Sequence, residues 1–250
     1  MSVVRDWDGA SYDRISGPME ALGLEVLARL NLAGSETALD AGCGSGRITQ
    51  ALVERLPHGR AIGVDQSASM VAAARKRLGT GMDLRVADLL ELELERPVDA
   101  ILSTATFHWI ADHERLFERL RAALLAGGRM VAQCGGEGNI DTLRGRVSTL
   151  LAAQPYAEHF ADWTPPWNYA GPDRTRERLL AAGFSSAECW LTPAPRELEH
   201  PREFLSTIVL GPHVQRLPVK LRECFMNDVL DLLGEPVVVD YVRLNIDAVA

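Results

Sequence analysis

Short apolar segments alternate with amphipathic segments along the first half of the chain. The apolar segments have the length and composition of buried strands, and they lie at 37–41, 61–64, 84–86, 100–103 and 129–133. Between the first two, Ile48, Leu52 and Leu56 recur every four residues, which indicates one face of a helix. Strands that alternate with helices in this way predict a mostly parallel sheet with helices on both faces.

A pair of glycines is expected to end one of these helices. Leu116, Leu120 and Leu124 lie along one helical face, and Gly127 and Gly128 follow them. Glycine is frequent immediately after the last turn of a helix. The pattern therefore predicts a helix that runs up to the glycine pair, with the fifth strand beginning after it.

The rhythm changes after residue 136. Helices are predicted at 141–153, 174–182, 201–210 and 218–233, and strands at 187–191 and 237–246. The last two strands are therefore separated by a helical insertion that is longer than an ordinary connection. The predicted fold is one α/β domain over residues 1–250, a doubly wound, mostly parallel seven-stranded sheet with a helical cap inserted between the last two strands.

The composition is that of an ordinary globular protein with a large core. Of its 250 residues, 47% are hydrophobic and 24% are charged. The net charge of -8 disfavours a nucleic-acid partner, because phosphates repel an acidic surface. The chain has neither a signal-peptide pattern nor an apolar run long enough to span a bilayer, so we expect a cytoplasmic protein without membrane association. The oligomeric state stays open.

The cysteines give no indication of a metal site or a disulfide framework. Cys43, Cys134, Cys189 and Cys224 have neither C-x-x-C spacing nor a histidine at metal-ligand spacing. We therefore expect reduced, mostly buried thiols and no metal ion.

The strongest chemical signal is the turn that follows the first strand. Gly42, Gly44 and Gly46 stand at alternate positions between this strand and the next helix. Glycines in such a turn let the backbone bend sharply, and they let a ligand approach where a Cβ would collide. Asp40 precedes the turn, and Asp65 ends the second strand, where a carboxylate can accept hydrogen bonds from both hydroxyls of a ribose.

Both carboxylates also have a structural interpretation. Asp65 could act as an acid at the N-terminus of the helix that Ser67 caps. Asp40 could be a buried carboxylate that accepts hydrogen bonds from loop amides.

The chain resembles the class I S-adenosylmethionine-dependent methyltransferases over residues 36–135. The segments that carry the resemblance, in the family's order and spacing, are 39–46, 63–67, 87–89, 99–103 and 125–128. In the dinucleotide-binding motif G-x-G-x-x-G, the third glycine comes one residue later than it does here. The glycine spacing therefore favours a methyltransferase over a nicotinamide oxidoreductase. A non-catalytic protein that keeps the cofactor fold is a further alternative.

The resemblance implies a Rossmann-like methyltransferase domain that uses S-adenosylmethionine and releases S-adenosylhomocysteine. It implies an N-terminal segment over the cofactor at 1–35, a cofactor-binding core at 36–135, and a substrate-side cap at 136–182 and 200–235. The residues implied at the cofactor are Tyr12, Asp40, Gly42, Gly44, Gly46, Asp65, Gln66, Met70, Asp88, Leu89, Ser103 and Thr104. Within that set, Asp65 would hold the ribose and Asp88 the adenine amino group.

Two further segments resemble the small-molecule subgroup that contains trans-aconitate methyltransferase. They are 106–110, with the sequence Thr-Phe-His-Trp-Ile, and the N-terminal stretch that contains Trp7 and Tyr12. The resemblance places Trp109 near the acceptor, where its indole could donate to an acceptor oxygen; packing on the next helix is the alternative. Tyr12 would touch the charged end of the cofactor or simply anchor the N-terminus.

The resemblance implies a small-molecule substrate, and a carboxylate oxygen is the simplest acceptor. A carboxylate is ionised at neutral pH and needs no base. A phenol, amine or carbon acceptor would need one, and His108 has a suitable position and pKa range, although it could instead be a structural histidine that caps the next helix. Trp167 and His213 lie in the predicted cap and could line either the substrate pocket or the surface.

The cap also bears on how many negative charges an acceptor could carry. A tricarboxylate would require several converging cations. The cap contains the arginines Arg174, Arg176, Arg196, Arg202, Arg216 and Arg222. Their spacing does not predict that they converge, and the aromatic residues of the cap would suit a more apolar acceptor equally well.

Overall fold

The computed structural model describes the backbone of residues 17–250 and the side chains of residues 20–250. The helices are α1 Gly17–Ala28, α2 Arg47–Glu54, α3 Ala68–Leu78, α4 His113–Ala123, α5 Asp141–Leu151, α6 Ala157–Phe160, α7 Pro172–Ala181, α8 Pro201–Phe204, α9 Gly211–Arg216 and α10 Val219–Leu233. The strands are β1 Thr37–Ala41, β2 Arg60–Asp65, β3 Asp83–Val86, β4 Val98–Thr104, β5 Leu124–Gly135, β6 Ser186–Pro193, β7 Arg196–Glu197, β8 Val238–Val239 and β9 Val242–Val249.

The main sheet has seven strands in the order β3-β2-β1-β4-β5-β9-β6. Strands β1 to β5 pair in parallel, and β9 runs antiparallel between β5 and β6. This arrangement confirms the predicted doubly wound, mostly parallel sheet. The order reverses between β1 and β4, and ligands of such sheets bind beyond the carboxyl ends of the strands at this reversal.

The strands of the sheet centre are buried on both faces, which explains their continuous apolar sequences. On one face, Leu39 and Ile101 pack in a cluster with Phe117 of α4. On the other, Ala38 and Leu102 pack in a cluster with residues of α1 and α2. Alternate residues of each strand therefore contact opposite helical layers.

The prediction that α4 runs to the glycine pair was wrong. The helix ends at Ala123, and β5 begins directly at Leu124, which pairs with Val98 of β4. Gly128 lies inside the strand, where an added Cβ would be 3.0 Å from the carbonyl oxygen of Asp99. The glycine therefore allows two backbones to approach closely and does not end the helix.

The predicted strand at 237–246 was wrong in its bounds, because the chain breaks between β8 and β9 at Asp240. The carboxylate of Asp240 accepts hydrogen bonds from the backbone N–H groups of Thr142 and Leu143, at 2.7 and 3.4 Å. This residue thus satisfies donors in the first turn of α5. After the break, β9 continues to Val249, whereas β8 pairs with β7 in a separate two-stranded sheet.

The predicted helix at 201–210 is irregular. Four residues form α8, and the chain then widens into a π turn over Leu205–Val209, in which the backbone N–H of Leu210 donates to the carbonyl of Leu205 at 2.6 Å. Such turns place side chains where a regular helix would not. Two of its residues, Ile208 and Val209, border the large cavity described below.

A second hydrophobic cluster, centred on Phe225 and Val229 of α10, joins the insertion between β6 and β9 to α5. Its buried side chains also include Tyr156 and Phe160, which flank the Phe225 ring at centroid distances of 5.3 and 6.5 Å. Within residues 17–250, no helix combines the length and apolar character needed to cross a membrane. Cys43 and Cys134 are buried thiols, and Cys224 is exposed.

Candidate active site

A large cavity, here called the main cavity, opens where the carboxyl ends of β1, β2 and β4 meet the insertion. Its described wall consists of Gly42, Gly44, Asp65, Gln66, Met70, Ala87, Asp88, Leu89, Thr104, Ala105, Thr106, His108, Trp109, Ile110, Asn139, Ile140, Trp167, Tyr169, Ile208, Val209, Tyr241 and Arg243. Because β2 and β9 lie at opposite sides of the sheet centre, the cavity has two ends. The glycine-loop end contains the residues that follow β1, β2 and β3, and the aromatic end contains His108, Trp109, Trp167, Tyr169, Tyr241 and Arg243.

The glycine loop is held by β2. The backbone N–H groups of Gly42 and Cys43 both donate to the carbonyl of Val64, at 2.8 and 3.0 Å. Gly42 has φ +88°, and an added Cβ would lie 2.0 Å from Thr106 Oγ1, so glycine is required there. Gly44 has φ +52°, and an added Cβ would meet no atom of the described residues within 4 Å. The open side of Gly44 faces the cavity and leaves room for a ligand.

Asp65 has the structural role considered from sequence, at the N-terminus of the helix that Ser67 caps, and it also lines the main cavity. One carboxylate oxygen accepts from the backbone N–H of Gly44 at 2.9 Å, and the other accepts from that of Ser67 at 2.8 Å. Burial raises the pKa of this carboxyl, and the two backbone hydrogen bonds oppose that effect. Each carboxylate oxygen retains a lone pair for a further donor, such as a ribose hydroxyl. Asp65 therefore fixes the loop and also lines the cavity.

The wall of the glycine-loop end continues across β2 and β3. Gln66 and Met70 follow β2, and Asp88 and Leu89 follow β3. Asp88 accepts from the backbone N–H of Leu90 at 2.9 Å and so caps a short 3-10 helix. The structure brings these residues together with Thr104 of β4 in one wall.

Three of the residues predicted at the cofactor lie behind this wall. Asp40 is buried under the loop, and its carboxylate accepts from Thr49 Oγ1 at 2.7 Å. Ser103 is buried and donates to the carbonyl of Ala41 at 2.6 Å. Gly46 begins α2 with φ +80° and faces Ala74 of α3. Tyr12, the remaining predicted cofactor residue, lies outside the described residues.

The aromatic end is built from two loops that are fastened to each other. The backbone N–H of Asn168 donates to the carbonyl of His108 at 2.8 Å. This contact sets the ring of Tyr169 against that of His108, at a centroid distance of 5.8 Å. The rings of Trp167 and Tyr169 stack at 5.8 Å with 9° between their planes, and Trp109 lies 6.2 Å from Trp167. The predicted pocket residues Trp109 and Trp167 therefore meet in one wall.

His108 is held as a neutral donor. Its Nδ1 accepts a hydrogen bond from the backbone N–H of Gly135 at 3.3 Å, which leaves the proton on Nε2. Burial lowers the pKa of the imidazole to about 3, and the positive charge of Arg243 contributes to this shift. The cap of α4 is provided by Asp112, so His108 does not cap that helix.

His213 lies in a neighbouring cavity, separated from the main cavity by Trp167, which borders both. Its ring packs 4.5 Å from Trp163 and stacks on Phe225 at 6.3 Å. Burial lowers the pKa of His213 to about 4. The structure thus places His213 inside an aromatic cluster behind the wall of the main cavity.

Several wall residues escaped sequence reasoning. They are Ala105, Asn139, Ile140, Tyr169, Ile208, Val209, Tyr241 and Arg243. The one usable signal was Arg243, the single cation in the sequence of β9. The sequence around Asn139 did not indicate its role. Its Oδ1 accepts a hydrogen bond from the backbone N–H of Val242 at 2.9 Å, a residue that is distant in sequence and begins β9.

Known proteins are similar to this chain in both sequence and fold. A methyltransferase domain family matches residues 38–128. The trans-aconitate 2-methyltransferase of Acidovorax sp. (strain JS42) is 30% identical over 93% of this chain and 90% of its own length. That of Methylobacterium nodulans is 33% identical over 76% of this chain and 68% of its own.

The chain belongs to the class I S-adenosylmethionine-dependent methyltransferase family. Solved structures agree on the fold of the methyltransferase. The YcgJ protein of Bacillus subtilis superposes with a TM-score of 0.63 over 92% of this chain and 97% of its own, at 14% identity. Phosphoethanolamine N-methyltransferase 2 of Haemonchus contortus superposes with a TM-score of 0.62 over 97% of this chain and 56% of its own, at 19% identity.

The residues of the methyltransferase fit its cofactor, S-adenosylmethionine. The open side of Gly44 gives room for a chain that no Cβ obstructs. Asp65 keeps acceptor capacity beside that space. The glycine-loop end of the main cavity thus has the shape and the acceptors that an adenosine with a short chain requires.

Proposed function

We propose that the enzyme transfers the methyl group to a carboxylate oxygen of a small organic acid. The observation that carries the proposal is the state of His108. Its low pKa and its hydrogen bond from Gly135 leave it a poor base with an N–H at Nε2. A phenol or amine acceptor would need a base with a pKa near the working pH, whereas an ionised carboxylate needs only donors.

The other titratable groups of the described wall support this reasoning. Burial raises the pKa of the Tyr169 hydroxyl well above its usual range, so this phenol stays protonated. The carboxylate of Asp65 accepts hydrogen bonds from the backbone N–H groups of Gly44 and Ser67, and it lies at the glycine-loop end of the main cavity. At the aromatic end, the described wall residues therefore offer donors for a carboxylate rather than a base for a protonated acceptor.

The bound cofactor supplies an electrophilic methyl group on a sulfonium. A carboxylate oxygen of the acceptor forms a bond to that carbon while the carbon–sulfur bond breaks, which gives a methyl ester and S-adenosylhomocysteine without a proton transfer. His108 Nε2 and the indole of Trp109 orient the acceptor, and the aromatic walls exclude water. The insertion and α5 act as the substrate-side cap in this proposal.

We further propose which residues hold the cofactor. Gly42 and Gly44 lie along its methionine part, Asp65 holds the ribose, and Asp88 accepts from the adenine amino group. Gln66, Met70, Leu89 and Thr104 complete the contact. Asp40, Gly46 and Ser103 act from behind the wall by holding the loop and the strand ends in place, and Tyr12 approaches from the N-terminal segment.

The test is the chemical stability of the transferred methyl group. The enzyme is incubated with S-adenosyl-[methyl-14C]methionine and one acceptor in each reaction. The acceptors are carboxylic acids, phenols and amines of similar size. Mild alkali releases labelled methanol from a methyl ester but not from a methyl ether or a methylamine. We expect alkali-labile label with acids only. Label that appears only in alkali-stable products would refute the proposal.

A further inference from the structure

The charges of the main cavity are divided between its ends. Within residues 20–250, the acidic residues of the wall are Asp65 and Asp88, both at the glycine-loop end. At the aromatic end, the described wall has a single cation, Arg243, and no carboxylate. With His108 neutral, the described residues of this end contribute one positive charge.

Arg243 occupies the central position between the two ends. It lies in β9, opposite Gly135 of β5 and Thr192 of β6, and only 5% of its surface is exposed. Its guanidinium carbon lies 4.5 Å from the centroid of the Tyr241 ring. Arg243 and His108 border the same cavity, and the positive charge of Arg243 contributes to the lowered pKa of His108.

Arg243 also borders a smaller cavity behind the glycine loop, together with Gly42, Gly44 and Thr104. It therefore stands where the glycine-loop end and the aromatic end meet. In a methyltransferase this is where methyl donor and acceptor must approach within contact distance.

We propose that Arg243 binds the carboxylate of the acceptor and that the aromatic end selects an acid with one carboxylate on a flat, apolar body. This inference rests on the proposed function. A guanidinium presents two parallel N–H groups that match the two oxygens of a carboxylate. In a buried site this attraction is screened less than in water. It holds the nucleophilic oxygen beside the glycine loop, next to the imidazole of His108.

The walls explain the preference for a flat body. Trp167 and Tyr169 stack almost parallel, and His108 continues the stack with 28° between its plane and that of Tyr169. These rings form an aromatic wall, and an aromatic or other planar group can stack on its rings or pack against their edges. A planar apolar group gains contact area there without leaving polar atoms unsatisfied.

The predicted arginines of the cap do not add cations to the described wall. All of Arg174, Arg176, Arg196, Arg202, Arg216 and Arg222 lie elsewhere. Four of them have partners of their own. Arg174 forms an ion pair with Glu114, and Arg202 donates to the side chain of Asn227. Arg216 donates to the carbonyl of His159, and Arg222 donates to that of Leu217. The second and third carboxylates of a tricarboxylate would face Trp109, Trp167 and Ile140, where burial of a charge is unfavourable.

The experiment measures binding to the enzyme saturated with S-adenosylhomocysteine, by titration calorimetry. The probes are 3-phenylpropanoate, its amide 3-phenylpropanamide, and propane-1,2,3-tricarboxylate. The variants are Arg243→Gln, Arg243→Lys and the control Arg144→Gln. Like Arg243, Arg144 lies over a tyrosine ring of the aromatic end: its guanidinium carbon is 5.8 Å from the centroid of the Tyr169 ring. It lies outside the described wall of the main cavity, so the control removes the same charge nearby.

We expect the wild type to bind 3-phenylpropanoate more tightly than the amide or the tricarboxylate. Arg243→Gln should weaken binding of the acid by roughly 10- to 100-fold, the value of a charge-assisted hydrogen-bonded pair. Binding of the amide and of S-adenosylhomocysteine should change less than about twofold, which also verifies that the variant is folded. Arg243→Lys should be intermediate, and Arg144→Gln should match the wild type.

Three results would overturn the inference. One is a loss of S-adenosylhomocysteine affinity in Arg243→Gln, because Arg243 would then bind the cofactor carboxylate. Another is unchanged affinity for the acid, or an equal loss in Arg144→Gln. The third is a wild-type preference for the tricarboxylate.

Failure of this inference is distinguishable from failure of the proposed function. If Arg243→Gln forms methyl esters with an unchanged KM, the role of Arg243 is refuted while ester formation stands. If acids bind in an Arg243-dependent manner but the label is transferred only to alkali-stable positions, the proposed function fails and the binding site remains.

Discussion

Asp40 lies beneath the glycine loop, fully removed from solvent, with one oxygen accepting from Thr49. Burial raises the pKa of its carboxyl to about 7, and the negative charge of Asp65 adds to that effect. The bond from Thr49 opposes the shift but is too weak to cancel it. The folded enzyme therefore holds a proton at this position more tightly than the unfolded chain does.

This shift predicts a pH-dependent stability. Below about pH 4 the carboxyl is protonated in both states, and between pH 4 and 7 only the folded state keeps the proton. Asp40 thus lowers the free energy of unfolding as pH rises through this window. In Asp40→Asn, which stays neutral and can still accept from Thr49, this loss should disappear, a difference of roughly 2–4 kcal/mol between pH 4 and pH 8.

Urea unfolding of both proteins at pH 4, 6 and 8 measures the effect. Asp83→Asn is the control, because the pKa of this carboxyl is lowered by Arg85. Asp83 contributes stability above the ordinary carboxyl pKa that is lost as pH falls, so its replacement should change the pH dependence in the opposite direction. Parallel pH profiles for Asp40→Asn and the wild type would contradict the account of Asp40.

At the scale of the element, the loop between β1 and α2 makes a sharper prediction. Gly44 and Gly79 both have positive φ, +52° and +86°, and an added Cβ at either position meets no atom within 4 Å in the part of the chain that the structure describes. Alanine should therefore destabilise the fold through backbone strain alone, by about 1 kcal/mol at Gly44 and by about 1–3 kcal/mol at Gly79, whose φ +86° and ψ 171° are essentially restricted to glycine. Only Gly44 borders the main cavity. Gly44→Ala should lose S-adenosylhomocysteine affinity by at least roughly tenfold, and Gly79→Ala should keep it.

Calorimetric titration with S-adenosylhomocysteine, together with thermal unfolding, separates the two effects. Equal affinity in both variants would remove Gly44 from the cofactor site. A much larger loss of stability in Gly44→Ala than in Gly79→Ala would mean that its open side is closed by protein.

Elements that depend on local sequence were the ones that sequence predicted well. The turn at Gly42 and Gly44 could be predicted from its glycines. Ser67 caps α3 as expected, because its hydroxyl accepts a hydrogen bond from the backbone N–H of Met70 at 3.3 Å. The end of α4 was mispredicted because Leu124 pairs with Val98 of a neighbouring strand, a contact that helical periodicity does not report. Ala105 adopts φ +58° between β4 and the next 3-10 helix, which is a strained conformation for a residue other than glycine. An alanine in the sequence does not predict this conformation.

At the scale of the whole molecule, the two ends of the main cavity differ in how far they could be predicted. The glycine-loop end comes from consecutive strand ends, so parallel-sheet topology brings its residues together. The aromatic end joins Trp109, Tyr169 and Arg243 from three separate parts of the chain. The spacing of these residues in the sequence does not predict that they lie together. Their positions depend on the break at Asp240 and on the π turn before Leu210.

The crystal structure of the enzyme with S-adenosylhomocysteine and 3-phenylpropanoate tests the central claim most directly. We predict the adenosine between Asp65 and Asp88, the sulfur beside Gly42, and the carboxylate in hydrogen-bond contact with Arg243. A nucleoside bound elsewhere, or an acid whose carboxylate lies away from the glycine loop, would contradict the account.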